Sequence, residues 1–282
     1  MATFTNQATL SYNGSITNSN VTTGELLEIL AATKTAITET YTAGSGIAYA
    51  ITLVNSGTSP ITELTLTDNL GAYTQGTETL YPLTFTEGTL SFFVNGVLQP
   101  TPTVTAGPPL TVSGINLPAG TSGVLLYEAT ANLYAPLAVG SSIINTVTVN
   151  GAETVEAITA SATVPVQAQT SLTIAKAICP EVVTDNGQLT YTFIIQNSGN
   201  TPAQADANVI ITDVFNPILN NISVTLNSAP FPQTSYTYNE ATGEFVTAAG
   251  SITVPAATYT QAQNGEITVT PGVAVLKITG TV

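Results

Sequence analysis

Ser91-Phe92-Phe93-Val94-Asn95-Gly96-Val97-Leu98 decides the fold class. Two short runs rich in aromatic and β-branched residues flank Asn-Gly, the pair that best fills the left-handed positions of a type I′ turn. The stretch reads as a tight β-hairpin. The pattern continues outward in both directions. Runs of Val, Ile, Leu, Thr, Tyr and Phe alternate at period two between Gly, Pro and Asn punctuation, and Asn-Gly recurs at 13–14, 150–151, 186–187 and 264–265. The helix-like stretch Gly24-Glu25-Leu26-Leu27-Glu28-Ile29-Leu30 is short and reads as a linker turn or the start of a strand. The whole chain is therefore expected to be all-β.

Composition bounds what such a chain does. Its 282 residues suit two β-sandwiches, each of about 100–150 residues. Hydrophobic residues make up 43% and charged residues 7%, against roughly 25% charged in an average domain. Disordered chains have the opposite bias. Thr, Ser, Asn and Gln supply the polar surface, and Thr suits a solvated sheet face. The net charge is −14, with three Lys and no Arg, so nucleic acid and anionic membrane surfaces are repelled. No apolar run reaches the length of a membrane span, so no membrane insertion is expected. Met1-Ala2-Thr3-Phe4-Thr5-Asn6 lacks the cationic start and apolar stretch of an ordinary secretion signal. There is no His and no Trp, and Cys179 is the lone cysteine. That leaves no disulfide within the chain, no His/Cys metal site, and neither Ser-His-Asp nor Cys-His catalysis. No cofactor is expected.

The chain repeats itself. Counted from Lys34 and from Lys176, Tyr49 and Tyr191 lie fifteen residues on, and Asn55-Ser56-Gly57 and Asn197-Ser198-Gly199 begin twenty-one residues on. Leu64-Thr65-Leu66-Thr67-Asp68 matches Val209-Ile210-Ile211-Thr212-Asp213. Ile115-Asn116-Leu117-Pro118-Ala119 matches Ile252-Thr253-Val254-Pro255-Ala256, and Val124–Thr130 matches Val273–Thr279, which sets Glu128 against Lys277. The first copy continues into a further strand, Ile143-Ile144-Asn145-Thr146-Val147-Thr148-Val149, that the second lacks. A similar segment, Phe4 to Tyr12, stands at the other end of the molecule. The expected organisation is a detached N-terminal donor strand (1–14), a linker (15–29), domain 1 (30–165), and a domain 2 (166–282) short of its last strand. A sandwich without that strand leaves unpaired backbone and uncovered apolar side chains. The Phe4–Tyr12 segment of another subunit supplies both by strand addition, a non-closing contact that grows into a filament. The alternative is that the segment folds back into its own domain 2.

Alternate residues of a strand share a face. Lys34 shares one with Leu30, Ala32 and Ala36; Lys176 with Leu172, Ile174 and Ile178; Asp68 with Leu64 and Leu66; Asp213 with Val209, Ile211 and Phe215; Asn145 with Ile143, Val147 and Val149. In the spare strand Phe4, Asn6, Ala8, Leu10 and Tyr12 form the apolar face. Each domain is thus expected to bury a Lys and an acid beside an Asn. One reading is a buried Lys–Asp salt bridge with the Asn hydrogen-bonded nearby. The other is an isopeptide bond. Burial keeps the amine neutral and nucleophilic and the acid protonated; Nζ attacks the Asn side-chain carbonyl and ammonia leaves.

Lys34, Tyr49, Asn55-Ser56-Gly57, Thr67-Asp68 and Asn145-Thr146 resemble the pattern of the bacterial surface "conserved repeat" immunoglobulin-like domain (domain of unknown function eleven), and residues 176–213 repeat its first part. The Lys-first, Asn-last order is also similar to isopeptide-bearing pilin domains of Gram-positive bacteria. The resemblance implies two tandem immunoglobulin-like β-sandwiches with a structural surface role. It implies a Lys34–Asn145 bond assisted by Asp68 or Glu128, and a bond from Lys176 to Asn6 of the next subunit assisted by Asp213.

The expected function is a non-enzymatic subunit that self-assembles head to tail into an extracellular or spore-surface fibre; the spore is suggested by analogy, from the absent secretion signal. The alternatives are a monomeric adhesin that binds a carbohydrate or host receptor through the Tyr81–Pro118 region, a virion structural protein, and a glycosidase using two carboxylates. Cys179 is read either as simple packing or as a cross-link between subunits in an oxidising compartment.

Overall fold

The computed structural model describes residues 2–26, 28–151 and 157–282. The regular structure of the described chain is strand, apart from two single-turn 3₁₀ segments at Ala205–Ala207 and Gln233–Ser235. It divides into two compact units, residues 1–135 with 142–164, and 136–141 with 165–282. Each contains an immunoglobulin-like sandwich, here domain 1 and domain 2.

The chain opens with β1 (Ala2–Asn6), β2 (Thr9–Tyr12), β3 (Ser15–Asn18) and β4 (Thr22–Leu26). They form one long hairpin, β1 against β4 and β2 against β3. Asn13 and Gly14, with φ of 45° and 80°, make its turn, as Asn-Gly should. The residues expected as a linker therefore carry the hairpin's return arm.

Domain 1 continues with β5 (Leu30–Ala36), β6 (Gly46–Asn55), β7 (Ile61–Asp68), β8 (Tyr73–Gln75), β9 (Glu78–Leu80), β10 (Leu83–Phe85), β11 (Ser91–Val94), β12 (Val97–Gln99), β13 (Thr103–Thr105), β14 (Leu110–Leu117), β15 (Ser122–Ala131), β16 (Ser142–Asn150) and β17 (Ile158–Pro165). One sheet runs β12-β11-β15-β6-β5 and the facing sheet β13-β14-β7-β16-β17. The Asn95-Gly96 hairpin forms as read, with Val94 opposite Val97. Inward residues of both sheets make the core, among them Tyr49, Leu53, Leu66, Val112, Tyr127, Val147 and Val149.

Domain 2 contains β18 (Leu172–Cys179), β19 (Gln188–Asn197), β20 (Thr212–Val214), β21 (Asn220–Leu226), β22 (Ala229–Pro230), β23 (Tyr236–Asn239), β24 (Glu244–Thr247), β25 (Thr258–Gln261), β26 (Ile267–Thr270) and β27 (Gly272–Thr281). Its first sheet runs β18-β19-β27-β21-β22. Its second is only β20-β24-β23. Phe193, Phe215, Phe245 and Leu276 centre its core.

The repeated Asn-Ser-Gly does the same work in both domains. Asn55 Oδ1 accepts from the Gly57 N–H at 3.0 Å, and its Nδ2 donates to the carbonyls of Ser59, Leu117 and Pro118. Asn197 Oδ1 accepts from the Gly199 N–H at 2.9 Å, and its Nδ2 reaches the carbonyls of Thr201 and Pro255. Both Asn residues are fully buried, and each amide pairs its polar atoms with the backbone of the turn and of a neighbouring strand end.

Candidate functional site

In domain 1 four strands and a turn converge on one buried polar cluster. Lys34 lies on the inward face of β5, opposite Ile51 of β6. Asp68 ends β7, where its Oδ1 accepts the Leu70 N–H at 2.9 Å and so turns the chain. Asn145 enters from β16, two residues before the Val147–Asp68 pairing. Lys34 Nζ donates to Asp68 Oδ2 at 2.5 Å. The Tyr127 hydroxyl donates to the same oxygen at 2.5 Å, and Asn145 Nδ2 donates to that hydroxyl at 2.9 Å. The Gly71 N–H donates to Asn145 Oδ1 at 3.3 Å. Lys34 Nζ also stands 4.9 Å from the centre of the Tyr49 ring, which stacks on Tyr127 at 5.4 Å. Lys34, Asp68 and Asn145 are exposed by 6%, 2% and 0%, so solvent does not screen the cluster.

Burial pulls the Lys34 amine from 10.5 down to about 8, against the opposing pull of the Asp68 charge and hydrogen bond. An appreciable share of Lys34 is thus a neutral nucleophile under mildly alkaline conditions. Burial first, and then the Asp68 charge, pushes the Tyr127 hydroxyl well above its ordinary range. It stays protonated, donating to Asp68 Oδ2 and accepting from Asn145 Nδ2, the nitrogen that would leave in an amide exchange. The Gly71 N–H meets Oδ1, where negative charge would develop during attack on the carbonyl.

Sequence reading did not single out Tyr127, although it lies on the same strand face as Leu125 and Ala129. Glu128, offered there as an alternative assisting acid, is exposed on the opposite face of β15. The match of Glu128 with Lys277 also fails. Tyr49 pairs with Tyr127 on β15, and its counterpart Tyr191 pairs with Ile278 on β27. The strands therefore correspond two residues further along, which sets Glu128 against Thr279 and Tyr127 against Ile278. Lys277 lies exposed on the outer face.

Domain 2 carries the same pair in an open setting. Lys176 Nζ donates to Asp213 Oδ2, but the side chains are 40% and 19% exposed, against 0% and 3% for Lys34 and Asp68. Lys176 lies 4.5 Å from the centre of the Tyr191 ring. No phenol bridges the acid, because Ile278 stands in place of Tyr127. Leu172, Ile174 and Ile178, which share the Lys176 face of β18, are 37%, 58% and 41% exposed. β7 pairs with β14 on one side and β16 on the other, whereas among the described residues β20 pairs with β24 alone. In domain 1 the corresponding edge of β7 is covered by β16. Cys179 ends β18 and is exposed.

The expected donor residues lie in the N-terminal hairpin. Phe4, Leu10 and Tyr12 are 57%, 60% and 58% exposed. Asn6 is exposed and its backbone faces Thr22. The Ala8 N–H donates to Ser19 Oγ at 3.0 Å.

No family model matches the chain. No curated protein matches it either. Among solved structures, the pilus backbone RrgB of Streptococcus pneumoniae aligns at 14% identity and TM-score 0.36, over 86% of this chain and 55% of that one. The chain thus spans about half the length of that pilin. BcpA, the major pilin subunit of Bacillus cereus, aligns at 11% identity and TM-score 0.37, over 96% and 73%. AvmM, which catalyses macrocyclization in alchivemycin A biosynthesis, aligns at 10% identity and TM-score 0.30, over 58% and 97%. These TM-scores lie below 0.5, and the functional reading rests on the chain's own residues.

Proposed function

We propose that the chain is a structural, non-enzymatic subunit that polymerises head to tail into an extracellular or spore-surface fibre. The N-terminal segment around Phe4–Tyr12 enters the groove of domain 2 in the next molecule. One observation carries this reading: the edge of β20 is free and the inward face of β18 is exposed, where domain 1 fills the equivalent space with β16. Ile143, Val147 and Val149 show what such a strand buries, each being 2% exposed or less. Phe4, Ala8 and Leu10 offer the same alternation around Asn6.

The buried cluster of domain 1 supports an internal isopeptide bond. Neutral Lys34 Nζ attacks the Asn145 side-chain carbonyl, and an ionised Asp68 accepts the amine proton and returns it through the Tyr127 hydroxyl to Nδ2, leaving both groups as they began. One Nζ–C bond forms, one C–Nδ2 bond breaks, and ammonia leaves. In domain 2, Lys176 and Asp213 await Asn6 of the incoming strand, and no hydroxyl matches that of Tyr127.

Purified protein heated in detergent is the test. A ladder of multimers is expected, and the monomer should be lighter than its sequence by one ammonia, a loss that Lys34→Ala abolishes. A chain that stays monomeric at high concentration, with domain 2 fully protected from proteolysis, refutes the fibre reading.

A further inference from the structure

Among the described residues, the second sheet of domain 2 has three strands where that of domain 1 has five. In domain 1, β16 lies against β7, and β17 lies against β16. Val164 of β17 is 0% exposed and Ala162 7%, and the Thr146 and Ser161 hydroxyls meet at 2.8 Å across the pair. The outer half of this sheet is thus itself a hairpin. Among the described residues, domain 2 pairs no strand on the corresponding side of β20.

The N-terminal region is a hairpin of matching kind. β1 and β4 share five paired positions, and β2 and β3 share four. Cross-strand partners point to one face, which places Phe4 with Gly24, Asn6 with Thr22, and Leu10 with Thr17. The Phe4 ring lies over Gly24, where a Cβ would stand 2.3 Å from it. Within β1, Phe4 and Asn6 share a face and Thr3 and Thr5 the other; within β2, Leu10 and Tyr12 share a face and Thr9 and Ser11 the other. The pairing register shifts by one residue between the two stretches, where residues 7–8 stand across from 19–21. The free edge of β1 and β2, the one not facing the return arm, is left for a further strand.

We infer that the donated element is the intact hairpin, residues 2–26, and not a single strand. Residues 2–12 add to β20 of a second copy of this chain, and residues 15–26 stay paired outside them, giving the order β23-β24-β20-first arm-return arm. This rests on the head-to-tail reading above and specifies its unit. A lone donor strand would have to break all of the hairpin's own pairs before docking. The intact hairpin keeps those pairs and fills both vacant positions.

A staple across the hairpin separates the two modes. Thr5 and Thr23 face each other across β1 and β4, on the side away from Phe4. Thr5→Cys with Thr23→Cys, in a Cys179→Ser background, locks the arms together under oxidation. The stapled full-length chain is expected to polymerise as the reduced chain does. Amide exchange of the unmodified chain gives a second readout: on assembly both arms should slow by about ten-fold or more. Oxidation that stops polymerisation until reductant is added, or exchange that slows in 3–12 while quickening in 15–26, overturns the hairpin and leaves strand donation standing. No polymer from the unmodified chain overturns both.

Discussion

Raising the pH from 8 to 10 should stabilise domain 1 whenever Lys34 carries a free amine. The folded state holds that amine at about 8 and the unfolded state at 10.5. Below pH 8 both states are protonated, and the cost of burying the charge is fully present. Between the two values the unfolded state binds more protons, so stability climbs with pH. Each pH unit inside the window is worth up to about 1.4 kcal/mol, so the interval from 8 to 10 contributes up to about 2.5 kcal/mol. The groups packed around the amine are Asp68 from β7, Tyr49 from β6 and Tyr127 from β15. The two phenols are pushed up by burial. Unfolded tyrosines ionise near pH 10 while these hold their protons, so the trend reverses above about pH 10. The perturbation is Asn145→Ala, which removes the amide and keeps the amine. Guanidinium unfolding followed by circular dichroism at pH 7.5, 8.5 and 9.5 reads the slope. Asn145→Ala combined with Lys34→Met should lack this contribution. If the single and double variants follow one pH trend, Lys34 is not a depressed amine and the nucleophile argument fails. A native chain that has formed the bond should track the double variant, because an amide nitrogen does not titrate in this range.

Tyr127→Phe keeps the ring stacked on Tyr49 and removes only the bridge between Asp68 and Asn145; bond formation, followed by intact mass, should slow by about 100-fold, and an unchanged rate would remove the phenol from the chemistry. Asn55→Ala strips three carbonyls, that of buried Leu117 among them, and one N–H of their partner and should cost domain 1 about 1–3 kcal/mol in chemical denaturation, whereas a loss below about 0.5 kcal/mol would mean the loop re-forms its bonds elsewhere. Ile174→Asp, on the exposed face of β18, should leave monomer stability within about 0.5 kcal/mol and abolish multimer ladders; ladders of native length would place the contact elsewhere. Deletion of residues 2–26 should yield monomers with an uncovered groove, detectable as aggregation on concentration.

Much of the fold was legible because period-two alternation and Asn-Gly turns are local signals. Asn13-Gly14 and Asn95-Gly96 sit at the left-handed values such turns require. The inward placement of Lys34, Asp68 and Asn145 followed from alternation, since each shares a face with apolar neighbours. The return arm of the N-terminal hairpin was not legible. Ser15 to Asn18 and Thr22 to Glu25 hold few apolar residues, and their pairing depends on a partner arm rather than on a buried face. The correspondence between β15 and β27 failed for another reason. Two strands of alternating apolar residues match equally well when slid by two, because every side chain keeps its face. Only the pairing to β6 and β19 fixes the register, and with it the standing of Ile278 where domain 1 has Tyr127.

The free edge of β20 lies in one unit, while the exposed hairpin belongs to the other. If subunits join as proposed, fibres linked through them would have unlike tips: one would terminate in a vacant acceptor, the other in an unspent donor. Growth from the two tips need not share a rate, and a molecule plugging the acceptor halts elongation at that tip alone. Length control then reduces to the supply of blockers for a single end.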